Sequence, residues 1–275
     1  MTTVLGDQLP SALDLRGRLA LVSGAGSATG IGMAAARALG SLGARVAITS
    51  TTDRIHERAA ELRRDGIDAT SFVARLESED AVSRLGEALA AASLEPAILV
   101  NNAGMVSVSD PEMSWGDVTS ELADWTKSLD INLTSTFLLT RLVVPAMRAA
   151  RWGRIINVSS MTGAVMAARA DVAYAAAKAG VVGLTRALAV DEAKHGITAN
   201  AVAPGWIATG SQLPDEAEEG LLVPMRRSGT ADEVGSVIAW LASPGSSYLT
   251  GQLISVDGGN SIAENRIPEP RSATT

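Results

Sequence analysis

From Arg16 onward, short apolar runs alternate with longer runs of helical spacing, and this alternation narrows the available folds more than any other feature of the chain. Strand candidates are Leu19–Ser23, Arg45–Thr49, Ala69–Val73, Ala97–Val100, Arg154–Val158, Thr198–Val202 and Leu253–Val256. Helical patterns lie between them: one ending near Leu42, then Arg54–Arg64, Glu79–Ala92, Asp124–Arg151, a run around Tyr174, and Asp232–Leu241. A strand that is apolar throughout, rather than at alternate residues, is covered on both faces. Such strands joined by helices make a parallel sheet between two helical layers, so one doubly wound α/β domain is expected. No composition break or internal repeat divides it. The domain is assigned to residues 15–260, with polar or proline-containing tails at 1–14 and 261–275.

Composition removes several classes of chemistry. There are no cysteines, which excludes disulfides, thiolate nucleophiles and Cys-ligated metals. His56 and His195 are the two histidines, too few for a multi-histidine metal site. A net charge of −7 argues against nucleic acid or an anionic membrane as partner. Neither a leader-like start nor an uninterrupted run of about 18 apolar residues is seen, so no membrane span and a cytoplasmic location are expected.

Between the first strand and first helix lies Ser23-Gly24-Ala25-Gly26-Ser27-Ala28-Thr29-Gly30-Ile31-Gly32. Glycines there let the backbone approach a diphosphate, which then rests on the helix N-terminus. Thr29 stands where GxGxxG would place its third glycine, but GxxxGxG runs from Gly26. A flexible turn is the plain alternative; its place at the start of an α/β chain favours dinucleotide binding. Gly24, Gly26, Ser27, Thr29, Gly30, Ile31 and Gly32 are the candidate contacts. The second strand ends in Ser50-Thr51-Thr52-Asp53-Arg54. Hydroxyls and a guanidinium suit a ribose 2′-phosphate better than a lone carboxylate would, so NADP(H) is expected ahead of NAD(H). Asp53 and Arg54 would equally serve as a solvated helix cap, and Asp53 lies within range of a ribose.

The run DVAYAAAKAGVVGLTRALAVDEAKHG is alanine-rich and predicts a helix. Tyr174 and Lys178, four residues apart, share one face of it. An ammonium beside a phenol favours phenolate and lowers the phenol pKa from about 10, which equips a tyrosine for acid–base work near neutral pH. A half-buried tyrosine next to a solvated lysine has the same spacing, so the pair alone decides nothing.

Further residues supply the context. They are Asn101-Asn102-Ala103-Gly104 after the fourth strand, Asn132 in DINLTSTF, Ser159-Ser160, Pro204-Gly205 and Val256-Asp257-Gly258-Gly259. With the glycine turn and Tyr174/Lys178, they make the chain resemble the single-domain short-chain dehydrogenases/reductases, and among these the bacterial 3-oxoacyl-acyl-carrier-protein reductases. The resemblance implies a Rossmann fold and direct hydride exchange between a nicotinamide and a carbonyl carbon, without metal. By that resemblance Tyr174 is the acid/base, and Lys178 holds the nicotinamide ribose and depresses the tyrosine pKa. Ser160 binds the substrate oxygen, with Ser159 its less favoured neighbour, and Asn132 holds a water that relays protons from Lys178. Asn101 and Gly104 would run along the adenosine side. Arg75, Leu76, Asn102, Ala103, Pro204, Gly205, Ile207 and Thr209 complete the cofactor set, Arg75 being equally readable as an exposed charge. A tyrosine–lysine spacing of four sets the chain apart from the enoyl reductase branch, whose spacing is wider. A non-catalytic NADP(H)-binding sensor would not need to retain the relay.

The pocket walls are expected from Met105–Trp115, Met161–Ala173 and Trp206–Val223. Met105, Trp115, Met161, Met166 and Trp206 are the chief candidates, with Met113, Val165 and Leu221 beside them. Such a lining suits a hydrophobic ketone or alcohol, though some of these side chains would also fit a core. GSQLPDEAEEGLLVPM is read as an acidic, loop-like lid. An acidic carrier protein needs basic residues at the cleft mouth. Arg151 meets that need, while His195 stands where a second arginine is expected. A free small-molecule ketone is therefore favoured over an acyl-carrier thioester. The resemblance further suggests a homotetramer built on the Tyr174 helix, the Asp124–Arg151 helix and the last strand. Small residues Ala176, Gly180 and Gly183 would allow close helix packing there.

Overall fold

A computed structural model of the chain describes residues 9–104 and 116–265. In chain order the elements begin β1 (Leu19–Val22), α1 (Ile31–Ser41), β2 (Arg45–Ser50), α2 (Arg54–Arg64), β3 (Ala69–Val73), α3 (Glu79–Ala91) and β4 (Ile98–Asn101). They continue α4 (Leu122–Leu129), α5 (Ser135–Ala150), β5 (Gly153–Val158), α6 (Met161–Ala164), α7 (Val172–Glu192) and β6 (Ile197–Pro204). The last are β7 (Ile207–Ala208), α8 (Pro214–Gly220), β8 (Gly229–Thr230), α9 (Ala231–Ala242) and β9 (Leu253–Val256).

Seven strands form one parallel sheet in the order β3-β2-β1-β4-β5-β6-β9, and β7 pairs with β8. The expected doubly wound parallel sheet is therefore what forms. Leu21, Ala47, Leu99, Ile155 and Ala199 enter one apolar cluster, while Val22, Ile48, Val100, Ile156 and Val202 enter the other. Successive strand residues point to opposite faces, and both faces here are covered, which is why these runs carry no polar alternation. Helices α1 and α9 pack together over one face; α3 and α5 cover the other. Strand order reverses between β1 and β4, so the chain leaves these neighbours in opposite directions. The gap at their C-terminal ends is where ligands bind in sheets of this kind.

Four local expectations change. The stretch Asp124–Arg151 is not one helix: a single π-helical turn, Asp130–Thr134, separates α4 from α5. There the Asn132 Nδ2 donates to the Ser128 carbonyl at 3.0 Å, a side chain taking up an acceptor that the widened turn would leave unused. Within the predicted loop at 210–225, Pro214 opens the short helix α8, since its fixed φ suits a first helical turn and its missing N–H is not needed there. Residues just before Leu15 are not free of the domain, because the Ala12 carbonyl accepts the Gly245 N–H at 2.8 Å. Finally, α7 with its short extension to His195 is long and apolar enough to cross a membrane by length and composition alone. In this fold it packs against β6, α4 and α6.

Leu99 is fully buried in β4 beneath α5. Leu99→Ala should remove about 2–5 kcal/mol of unfolding free energy, read as a lower urea midpoint at unchanged slope.

Candidate active site

The glycine turn is clamped to the end of β4. Ser23 Oγ accepts the Asn102 and Ala103 N–H groups, each at 3.0 Å, and the Asn102 side-chain amide donates to the Ser23 and Gly24 carbonyls at 3.1 and 3.0 Å. Gly24 has φ +69°, and a Cβ on it would stand 2.8 Å from Ala103 backbone atoms. Only glycine fits there. Asn101 is corrected by the same geometry. It points into the sheet, donating to Asn157 Oδ1 at 2.8 Å and Thr140 Oγ1 at 3.0 Å, so it belongs to the buried network and not to the adenosine side.

Gly26 faces the end of β2. A Cβ there would lie 2.9 Å from Ser50 Cβ and 3.1 Å from Arg54 Nε, so the missing side chain leaves a hydroxyl and a guanidinium against the turn. Thr51, Thr52 and Asp53 are exposed at the same bend. Gly30 caps α1 without a side-chain hydrogen bond, and no acidic residue occupies that first turn, which leaves the N–H groups from Ile31 and Gly32 onward in a setting that favours an anion. Thr29 Oγ1 accepts the Gly210 N–H at 2.9 Å, and Ser27 lies close by, so the turn also meets the segment after β7. These donors fit a phosphorylated dinucleotide. Leu76 is buried, whereas Arg75 is exposed, pairs with Glu77 at 3.2 Å and borders a separate recess against α4.

At the other end of the gap, β5 runs into Ser159 and Ser160, and α7 brings in Tyr174 and Lys178. Ser160 lies close enough to Tyr174 to favour the ionised form of its hydroxyl, and it also caps α6 through the Thr162 N–H at 3.1 Å. Ser159 instead donates to the Lys178 carbonyl at 2.8 Å, a helix-anchoring role. The Lys178 Nζ is buried, donates to the Val158 carbonyl at 3.0 Å and lies 5.5 Å from the centre of the Tyr174 ring. A Cβ on Gly104 would stand 3.0 Å from Asn132 Oδ1 and 3.2 Å from Lys178 Nζ, so all three converge. Asn132 is fully buried with its Oδ1 unpartnered.

The expected lowering of the tyrosine pKa does not occur. Burial pushes Tyr174 up to about 12 against the opposing influence of Ser160, and the nearby carboxylates of Asp171 and Glu216 push the same way as burial. The Lys178 ammonium lies over the ring, 5.5 Å from its centre. Burial also brings Lys178 down to about 8.

Between these parts lies a cavity of about 900 Å³. Ile31, Asn102, Ser160, Tyr174, Lys178, Pro204, Gly205, Ile207 and Thr209 line it together with Met161, Met166 and Trp206. Val165 and Leu221 are exposed and do not line it; Met105, Met113 and Trp115 lie outside the described residues. Sequence reasoning missed Leu122, Trp125 and Asn260, which border the cavity, and it did not single out Asp171 and Glu216 within the expected wall segments. Leu122 and Trp125 are three apart on α4, a spacing that marks one helix face. Asp171 immediately precedes α7, a position that reads as a helix cap.

A switch-point crevice with a glycine turn at one end and a Ser-Tyr-Lys group at the other defines a nucleotide-binding α/β oxidoreductase. The chain belongs to the short-chain dehydrogenase/reductase family. Residues 24–261 match the family model described as enoyl-(acyl carrier protein) reductase. The chain is 40% identical over 258 residues to the 3-oxoacyl-acyl-carrier-protein reductase FabG of Pseudomonas aeruginosa, covering 90% of this chain and 98% of that one. A 3-oxoacyl-acyl-carrier-protein reductase with bound NAD from Brucella melitensis is similar at TM-score 0.82 and 33% identity, over 94% and 98% of the two chains. A gluconate 5-dehydrogenase from Burkholderia cenocepacia in complex with NADP and tartrate gives TM-score 0.83 at 30% identity, over 92% and 98%.

Lys178 also sets a stability expectation. Its pKa is about 8 folded against 10.5 for the ordinary group, so below pH 8 the fold holds a buried charge at a cost. Between those values the unfolded chain binds more protons, and stability rises with pH. Lys178→Met should stabilise the protein at pH 7 by on the order of 2 kcal/mol in a urea titration, with activity lost and the rise in stability above pH 8 abolished.

Proposed function

We propose that the protein reduces hydrophobic small-molecule ketones to secondary alcohols with NADP(H), with Tyr174 as the proton donor. The observation that carries this reading is the Ser160–Tyr174–Lys178–Asn132 group at the floor of a largely apolar cavity. Bound nicotinamide supplies hydride to the carbonyl carbon. The chain's own residues do the rest. With its pKa at about 12, the Tyr174 hydroxyl keeps its proton at neutral pH, which suits donation to a carbonyl oxygen that is gaining charge. Ser160, which borders the cavity beside that hydroxyl, would be a second donor to the same oxygen. Lys178 would hold ribose hydroxyls, and the unpartnered Asn132 Oδ1 beside it is the acceptor that a proton relay to solvent requires.

Preference for NADP(H) is supported by Arg54 and Ser50 against Gly26, and by the NADP of the gluconate 5-dehydrogenase neighbour. The NAD of the Brucella neighbour keeps NAD(H) as the alternative. The remaining cofactor contacts would come from Gly24 to Gly32, Gly104 and Thr209. The spacing of Tyr174 and Lys178 supports a carbonyl rather than an enoyl substrate, despite the description of the family model.

A second reading, reduction of 3-oxoacyl-carrier thioesters, is favoured by the relative from Pseudomonas aeruginosa and by Arg151. Against it, Arg151 stands beside His195, with 3.4 Å between Nη1 and Nδ1, rather than beside a second arginine. A homotetramer through α5 and α7 is consistent with exposed Phe137 and Val190 and with the open space around Gly183, whereas Gly180 is already filled by Leu133.

Tyr174→Phe should lower kcat by about 10³-fold on any accepted ketone while leaving the dissociation constant for NADPH within about threefold; near-normal kcat would remove Tyr174 from the acid role. Arg54→Ala should raise KM for NADPH by about tenfold and leave KM for NADH within about twofold, the signature of a lost phosphate contact.

A further inference from the structure

The cavity that Tyr174 faces has an uneven charge balance. Among the described residues, four carboxyl groups border it, from Asp117, Asp124, Asp171 and Glu216, against two ammonium groups, from Lys127 and Lys178. Lys178 is already engaged with the Val158 carbonyl. Asp171 and Glu216 stand close enough to Tyr174 for their charges to act on its hydroxyl.

Asp171 is the most telling of the four. It occupies the N-cap of α7, where a carboxylate ordinarily accepts an N–H from the first turn, yet its side chain makes no such bond. It is drawn partly out of water, and burial pushes its carboxyl up to about 6 with no cation acting on it in the opposite sense. A second group points the same way. Asn260 is 5% exposed and borders the cavity from the C-terminal side; its Nδ2 reaches Met166 Sδ at 3.7 Å, while its Oδ1 has no partner. Glu216 accepts the Leu213 N–H at 2.8 Å with one carboxylate oxygen. Acceptors thus predominate around walls built from Leu122, Trp125, Met161, Met166 and Trp206.

We infer that the cavity selects ketones or secondary alcohols that carry a protonated amine, with Asp171 as its counter-ion, and disfavours carboxylate and phosphate groups. This rests on the carbonyl-reductase reading of the same site. An ammonium leaving water needs a charged acceptor to offset its desolvation, and Asp171 supplies one for which no ion pair is found among the described residues. The aromatic walls suit the same cation. An anionic substrate would meet Asp171 and Glu216 as like charges beside the reacting oxygen, which discriminates as strongly as any attraction.

The test is steady-state kinetics of the full chain with saturating NADPH near neutral pH. The substrates are three aryl methyl ketones matched in size, bearing a para methyl, aminomethyl or carboxylate group. The aminomethyl ketone should exceed the methyl one in kcat/KM by on the order of tenfold, and the carboxylate should fall below it by a similar factor. Asp171→Asn should cut the amine-over-methyl ratio below about threefold. That ratio is read within one variant, so a general loss of activity cancels, and Asp171→Glu should restore part of it. Turnover of the methyl ketone with no amine advantage, an equal or better carboxylate, or an advantage that survives Asp171→Asn would each overturn the inference while leaving the carbonyl reading intact. No turnover of any of the three would overturn both.

Discussion

The buried ammonium of Lys178 is the contact on which the reacting end of the molecule depends. It costs stability, since burial draws its pKa from 10.5 to about 8, and among the described residues it hydrogen-bonds only the Val158 carbonyl. That bond ties α7 to the end of β5, and Ser159 reinforces it from the other side by donating to the Lys178 carbonyl. The widened turn at Asp130–Thr134 brings Asn132 within reach of the same point. Three elements far apart in sequence are therefore arranged around one charge. A fold free to optimise stability would place a methionine there, so the lysine marks a position held for function.

The opposite end is organised by backbone proximity rather than by charge. Ser23 and Asn102 knit the first glycine turn to the end of β4, and glycine at position 24 is what permits the contact. The two ends meet across the crevice that strand reversal opens. On the proposed reading, the glycine cradle at one end and the costly lysine at the other would divide the work: one would set the position of a dinucleotide, the other the proton chemistry beside it.

The cavity between them gives the protein its individuality. Two of its relatives are named for a 3-oxoacyl carrier substrate and for gluconate, and the cavity of this chain has walls that are largely apolar and titratable groups that are mostly acidic among the described residues. Asp171 and Glu216 also help hold the Tyr174 phenol in its protonated form, so the same charges that would discriminate among substrates keep the acid loaded.

Much of this was legible in the chain. Strands apolar on both faces, the glycine turn between strand and helix, and Tyr174 four residues before Lys178 are local patterns, fixed by backbone period and by what each residue type can do alone. They determined the fold class, the family and the ends of the crevice. Tertiary structure decided what depends on distance between remote segments. Asn101 reads as a ligand-side asparagine until Asn157 and Thr140 are seen to hold it inside the sheet. Val165 and Leu221 look like pocket walls until they are found outside the cavity, and Asp171 reads as a helix cap until its carboxyl is found uncapped and desolvated at the cavity's edge. The tyrosine pKa shows the reason most plainly. Spacing placed an ammonium on its helix face, but the sign of the shift is set by how much water the whole fold removes, and desolvation is a sum over neighbours that no local pattern contains.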